Sequence, residues 1–204
     1  MKRPIQARTT REIGQMRYTN FCLAGTAAAL IVAAPAARAD ETGIKAMAQG
    51  SHAIVMRHAK TSAHGRALVL DPNGSCANEE NLSEAGRAQS QRLKAMLDQA
   101  GIKLDAVLTS PFCRTKETAQ LAFGTATVDP NLTALEIGTQ AQGQVRTQSV
   151  TDLLARHAGK GNVALVTHRP NIDALTMELV EEGEAVIAKI QPSGTLDVVG
   201  RIKP

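Results

Sequence analysis

Three apolar runs in this sequence each lead into basic side chains of a kind that performs phosphate chemistry. Arg57 and His58 follow the first run, Arg114 follows the second after a Ser-Pro turn, and His168 follows the third. Because ligands bind beyond the carboxyl ends of strands in an open α/β sheet, we expect these four side chains to meet at one edge. Guanidinium groups bind phosphate oxygens, and an imidazole can act as a nucleophile at neutral pH. One arginine-histidine pair after a strand is commonly a surface pair, so the site hypothesis depends on all three runs.

Elements predicted around these residues alternate between strand and helix. Strands are predicted at 53–57, 105–109, 125–128, 162–167, 185–190 and 195–202, and helices at 84–100, 114–123, 147–158 and 170–180. Ser83 is typical of a helix N-cap, and Gly101 of a helix stop. The alternation predicts an α/β fold, a three-layer sandwich with a mostly parallel central sheet flanked by helices.

The motifs that carry these residues resemble one family when they are taken in order. They are Arg-His-Ala at 57–59, Asn-Leu-Ser-Glu-Ala-Gly-Arg at 81–87, Thr-Ser-Pro-x-x-Arg-Thr-x-x-Thr-Ala at 109–119 and Thr-His at 167–168. Each is weak alone, but in this order they resemble the histidine phosphatase superfamily, in the branch that includes the phosphoglycerate mutases. The resemblance covers about residues 54–172 and implies a phosphoglycerate mutase-like fold.

The resemblance implies a histidine acid-type phosphatase, a hydrolase of phosphoric monoesters. His58 would attack phosphorus and form a phosphohistidine, while its other ring nitrogen donates to a backbone carbonyl. Arg57, Arg114 and His168 would stabilise the phosphoryl oxygens, so that no metal or other cofactor is required. His58 and His168 also lack companion ligands at zinc-type spacing.

A proton donor for the leaving group is implied by the resemblance alone. The family places a glutamate after the helix that carries its second arginine, and Glu136 in Leu135-Glu136-Ile137-Gly138 matches that position. The alternative is a solvated loop carboxylate. The short chain between Arg114 and His168 leaves no room for the large lid of a mutase, which favours hydrolysis.

Further phosphate contacts are candidates beside the two histidines. Lys60 and Thr61 follow His58 at the start of a turn-rich loop, residues 59–81, and Arg169 follows His168. His64 and Arg66 in the same loop are more simply interpreted as solvated side chains.

The first 39 residues have the layout of a secretory signal peptide. A basic leader precedes an apolar segment, residues 21–34, and Ala37-Arg38-Ala39 offers a cleavage site. This predicts a signal peptide at 1–39, a phosphatase domain at 40–204, a periplasmic or secreted protein, and no stable membrane anchor after cleavage. An uncleaved anchor is the alternative, and either Met1 or Met16 could be the true start.

Composition then argues against nucleic acid as a partner. The chain has a net charge of +4, but residues 40–204 carry 17 basic and 18 acidic residues and so a net charge of −1. Phe112 and Phe123 are the only Phe, Tyr or Trp residues of that part, too few for base stacking.

Cys76 and Cys113 remain after the predicted cleavage, and we expect them to form a disulfide in an oxidising compartment. Cys113 precedes Arg114, and Cys76 lies in the loop after His58, so the bond would fix that loop to the arginine turn. Two free thiols are the alternative.

The sequence leaves other functions open. A phosphohistidine-protein phosphatase and a catalytically inactive periplasmic protein that binds phosphate esters are the alternatives. The expected partner is a small-molecule phosphate ester, and an envelope sugar phosphate is one candidate because an exported family member of this type acts on lipopolysaccharide heptose phosphate. The sequence names neither the substrate nor the oligomeric state.

Overall fold

The computed structural model describes residues 38–39, 41–62, 68–71 and 73–204. Residues 1–37 of the predicted signal peptide, together with His64 and Arg66, lie outside the described residues. The strands are β1 Arg38–Ala39, β2 His52–Arg57, β3 Ala106–Thr109, β4 Thr127–Val128, β5 Val163–Thr167, β6 Ala185–Ile190 and β7 Leu196–Lys203. The helices are α1 Glu41–Met47, α2 Glu84–Gln99, α3 Cys113–Phe123, α4 Gln140–His157 and α5 Arg169–Thr176, with a short 3-10 helix at Pro130–Leu132.

These strands form a single sheet, in the order β1-β7-β6-β2-β5-β3-β4. The part from β2 to β4 is parallel, whereas β6, β7 and β1 add antiparallel pairs on the other side of β2. The predicted α/β fold is confirmed, with the parallel pairing confined to β2, β5, β3 and β4, of which the first three carry the site. In the register, Arg57 lies opposite Thr167, and Thr109 lies opposite Val166. This register brings the carboxyl ends of β2, β5 and β3 to one edge.

The core lies on both faces of the sheet, as a three-layer sandwich requires. Ile54 and Met56 point into a cluster that includes Leu93 of α2, and Val55 points into a second cluster that includes Leu154 of α4. All of these side chains are fully buried. Because β2 is covered on both faces, it reads as a continuous apolar run rather than as an alternating one.

Two helix boundaries differ from the sequence prediction. Helix α4 begins at Gln140 instead of Thr147. Thr139 and Gln142 form a capping box, which starts the helix in a stretch without apolar periodicity. The fifth helix ends at Thr176 instead of about Val180, where Met177 adopts a left-handed backbone conformation with φ 56°. Within the described part of the chain, no helix is long and apolar enough to cross a membrane.

Candidate active site

A cavity of about 520 Å³ opens at the edge where β2, β3 and β5 end. Its lining residues are Arg57, His58, Leu68, Glu80, Arg114, Ala134, Glu136, His168, Arg169, Pro170, Asp173, Leu179 and Glu182. The structure therefore brings together the four basic side chains that the sequence predicts at one edge, and it adds Glu136 and Arg169.

His58 is held in one orientation at the end of β2. Its Nδ1 lies 3.0 Å from the carbonyl oxygen of Ala59 and donates to it, which leaves Nε2 without a proton. Nε2 has no hydrogen-bond partner among the described residues, and the residue is only 6% exposed. Burial, with the nearby charges of Arg114 and Arg57, lowers the pKa of His58 to about 3, against the opposing effect of the Ala59 hydrogen bond. At neutral pH the imidazole is thus uncharged and its Nε2 lone pair is available.

Arg114 lies in the first turn of α3 and is 3% exposed. Its guanidinium carbon stacks 4.3 Å from the ring centre of Phe112, which is fully buried. Thr118 Oγ1 donates to the Arg114 carbonyl and accepts from the Ala59 backbone N–H. The first turn of α3 is thereby tied to the residue that orients His58.

His168 has both ring nitrogens engaged in the described structure. Arg114 Nη2 donates to Nδ1 over 3.3 Å, so the neutral ring carries its proton on Nε2 and donates to Ser110 Oγ over 2.8 Å. Burial, followed by the charge of Arg114, lowers the pKa of His168 to about 2. In this conformation His168 orients Arg114 instead of presenting a free N–H to the cavity.

Arg57 is more exposed than Arg114. Its Nη1 donates to the Val180 carbonyl over 3.3 Å, and its Nη2 lies 3.6 Å from Glu182 Oε1. Nε is buried without a hydrogen-bond partner among the described residues. An anion in the cavity could satisfy this donor.

The remaining predicted contacts divide into two groups. Glu136 and Arg169 are exposed at the cavity wall. Lys60 and Thr61 are not among the described residues that line the cavity. Lys60 is exposed, and the Thr61 hydroxyl contacts Glu80 and Glu182 instead of facing the place where a phosphate would bind.

The loop after β2 is anchored to α2 at Lys60. The Lys60 carbonyl accepts hydrogen bonds from the backbone N–H and the hydroxyl of Ser83, the N-cap of α2. A Cβ on Gly86 would overlap this carbonyl oxygen, so only glycine permits the close approach.

The predicted disulfide between Cys76 and Cys113 is present, with 5.8 Å between the two Cα atoms. Glu79, 2% exposed, fixes the same loop by accepting from the backbone N–H groups of Cys113 and Asp71 over 2.7 and 3.0 Å. The first N–H of α3 is therefore already bonded, although helix N-termini commonly offer such donors to anions.

Sequence reasoning missed Ser110, Glu80 and Glu182 as parts of the site. Ser110 lies inside the Thr-Ser-Pro motif, so the motif could have indicated it as a residue of the site. Glu182 belongs to a conspicuous acidic turn, residues 181–184, but nothing local indicates that this turn meets β2. No group of three or more His, Cys, Asp or Glu side chains is arranged to hold a metal ion within the ranges that the structure describes.

Comparison with known proteins gives a sequence match over residues 53–141, to the family described as histidine phosphatase superfamily (branch 1). No curated protein sequence matches the chain. The match includes Arg57, His58, Arg114 and Glu136 and ends before His168.

Solved structures share the fold at low sequence identity. The protein histidine phosphatase SixA complexed with tungstate is 18% identical, with a TM-score of 0.56 over 75% of this chain and 97% of SixA. A putative alpha-ribazole-5'-P phosphatase from Escherichia coli K-12 is 20% identical, with a TM-score of 0.56 over 74% of this chain and 96% of its own. Phosphoglycerate mutase from Thermus thermophilus is 21% identical, with a TM-score of 0.53 over 75% of this chain and 99% of the mutase.

The sequence match over residues 53–141 supports the resemblance to the histidine phosphatase superfamily, and the solved structures share a phosphoglycerate mutase-like fold with this chain. The family match supports a phosphatase-type enzyme.

Proposed function

We propose that this protein hydrolyses phosphomonoesters through a phosphohistidine formed on His58, without a metal ion. The observation that carries the proposal is the state of His58: buried, uncharged, fixed through Nδ1 by the Ala59 carbonyl, and with Nε2 unpartnered among the described residues at a cavity lined by Arg57 and Arg114. An oriented neutral imidazole beside two guanidinium groups suits attack on a phosphoryl group whose charge must be offset.

In the first step, the Nε2 lone pair forms a bond to phosphorus as the bond from phosphorus to the ester oxygen breaks. The departing oxygen takes a proton from Glu136, which lies at the cavity wall. In the second step, water attacks phosphorus, its proton returns to Glu136, and inorganic phosphate leaves with His58 restored. Arg57 and Arg114 offset the charge on the phosphoryl oxygens in both steps, the role that metal ions take in other phosphoryl-transfer enzymes.

His168 keeps Arg114 in place for this reaction. The chain of contacts from Ser110 through His168 to Arg114 fixes a side chain that would otherwise have several rotamers. When a phosphate dianion enters, Arg114 can turn to it, and Nδ1 of His168 can then take up a proton and donate to the same anion. Arg169 supplies a further cation at the cavity wall. Lys60 and Thr61 instead hold the loop after β2 in position, through the hydrogen bonds described above.

Hydrolysis of a panel of phosphomonoesters by the mature protein tests the proposal. Wild type should release phosphate from several esters, and His58→Ala should release none, while Lys94→Ala at an exposed position of α2 should retain wild-type rates. One structural neighbour is described as a protein histidine phosphatase, so the panel includes a phosphohistidine-bearing protein. Hydrolysis of that protein alone would make this enzyme a phosphohistidine-protein phosphatase instead of a phosphomonoesterase. Binding of the esters without any hydrolysis would make it a phosphate-ester binding protein.

Export to the periplasm or the medium, with cleavage after Ala39, is part of this proposal. The basic leader, the apolar segment and the Ala37-Arg38-Ala39 sequence support it. N-terminal sequencing of the protein isolated from its native cells should begin at Asp40. A membrane-bound product that retains residues 21–34 would contradict it.

A further inference from the structure

Two carboxylates in the cavity converge on one hydroxyl group. Thr61 Oγ1 lies 2.7 Å from Glu80 Oε1 and 3.1 Å from Glu182 Oε1. Glu80 follows the disulfide-anchored loop, and Glu182 belongs to the turn before β6, so two distant segments deliver them to the same place. Both residues line the cavity and are half-buried.

Glu182 also touches the groups that would receive the phosphate. Its Oε1 lies 3.6 Å from Arg57 Nη2 and 4.0 Å from His58 Nδ1. Part of the positive charge of Arg57 is therefore offset before any substrate binds.

Beside Glu182, the cavity also holds His58. This side chain is more than nine-tenths buried, and its Nε2 has no partner among the described residues, so an electrophilic phosphorus atom belongs there. The phosphoryl group occupies the space beside His58 and the arginines, and the remainder of a small ester stays within the cavity that Glu80 and Glu182 line.

The charge of the lining favours some leaving groups over others. Among the described lining residues, four carboxylates (Glu80, Glu136, Asp173 and Glu182) accompany three guanidinium groups (Arg57, Arg114 and Arg169). A bound phosphoryl dianion makes this environment more negative still. An additional anion on the ester is repelled by the carboxylates, whereas an ammonium or hydroxyl group can donate to them.

On the basis of the proposed function, we infer that Glu80 and Glu182 determine specificity, selecting phosphomonoesters whose leaving group carries ammonium or hydroxyl donors and rejecting those that carry a second acidic group. This assigns the pair a role in recognition of the leaving group, beside the phosphoryl chemistry of His58.

Three esters of nearly equal size test this inference. O-phosphoethanolamine, 2-hydroxyethyl phosphate and phosphoglycolate present a cation, a neutral hydroxyl and an anion at the same distance from phosphorus. We expect kcat/KM at low salt to fall in that order, with phosphoglycolate about tenfold or more below 2-hydroxyethyl phosphate and the difference shrinking as salt screens the charges.

Substitution of Glu80 and Glu182 tests whether these two residues cause the discrimination between the esters. Glu80→Gln and Glu182→Gln should each bring the ratio of kcat/KM for 2-hydroxyethyl phosphate to that for phosphoglycolate severalfold closer to one. The exposed Glu84→Gln outside the cavity should leave the ratio unchanged. Because both esters share the phosphoryl chemistry, a general loss of rate cancels in this ratio.

Equal kcat/KM values for the three esters, a preference for phosphoglycolate, or an unchanged ratio in both variants would overturn the inference. Dissociation constants of the same esters, measured with the His58→Ala variant, show in the absence of turnover whether the protein discriminates between 2-hydroxyethyl phosphate and phosphoglycolate. If the esters are discriminated in binding but wild type hydrolyses none, the proposed function fails while the specificity inference holds.

Discussion

Arg114 donates to His168: its Nη2 lies 3.3 Å from the Nδ1 atom of the imidazole. A guanidinium group can only donate, so Nδ1 accepts and the ring proton must be on Nε2, facing Ser110. Burial, and after it the charge of Arg114, lowers the pKa of His168 and holds the ring uncharged, since protonation of Nδ1 would also place two cations against each other. The same arrangement makes stability depend on pH.

Stability should fall as the pH drops from 6.5 to 5. Burial lowers the pKa of His58 to about 3 and that of His168 to about 2, whereas both titrate near 6.5 in the unfolded chain. Below pH 6.5 the unfolded state therefore binds more protons, and the stabilisation present above 6.5 is progressively lost. The two histidines together should remove about 3 kcal/mol of unfolding free energy between pH 6.5 and 5.

Urea unfolding at pH values from 7 to 5 measures this loss. His168→Asn removes one titrating group and should reduce the pH dependence by about half. An unfolding free energy that is constant over the interval in wild type would show that neither histidine is held uncharged by the fold.

Glu136→Gln should slow esters with poor leaving groups far more than those with good ones. Without the proton donor, alkyl phosphates should lose about 10²–10⁴-fold in kcat, because their alkoxide leaves with difficulty. Hydrolysis of p-nitrophenyl phosphate, whose leaving group needs little help, should change little. Asp173→Asn, at the same cavity wall, serves as the matched control and should not slow one kind of ester more than the other. Equal losses on both kinds of ester in Glu136→Gln would show that Glu136 is not the proton donor.

Loss of the disulfide should destabilise the protein without abolishing the fold. Cys76 and Cys113 are 37 residues apart, and closing a loop of this size contributes at most about 4 kcal/mol by the chain-entropy argument. The Cys76→Ser/Cys113→Ser double variant should melt about 10 °C lower or less. Glu79 still ties the loop to α3 in this variant, so phosphatase activity should persist at low temperature. Two free thiols in the unreduced wild-type protein, detected by mass spectrometry, would contradict the bond.

The sequence was sufficient for the parts of the site that depend on local patterns. Arg57 ends β2, His58 and His168 directly follow strands, and Arg114 follows a Ser-Pro turn, so the parallel pairing of those strands alone brings them together. The capping signal for α4 was also present, in Thr139 and Gln142, but the polar residues 140–144 have no apolar periodicity and concealed the first turns of that helix.

The acidic part of the site could not be predicted, because it depends on contacts between distant segments. Glu182 reaches Thr61 across 121 residues, and Ser110 reaches His168 across 58. Thr61 has a residue type that suits phosphate binding, but its neighbours in space, and not its type, direct the hydroxyl to carboxylates. Side-chain direction in a loop is set by such tertiary contacts.

Trapping the phosphoenzyme tests the central claim most directly. Wild-type protein mixed with a ³²P-labelled phosphomonoester and quenched within milliseconds should retain label that is stable in base and lost in acid, as expected of a phosphohistidine. Peptide mapping under alkaline conditions should place the label on His58, and His58→Ala should retain none. Turnover without any trapped label on His58, or near-wild-type turnover by His58→Ala, would contradict the account.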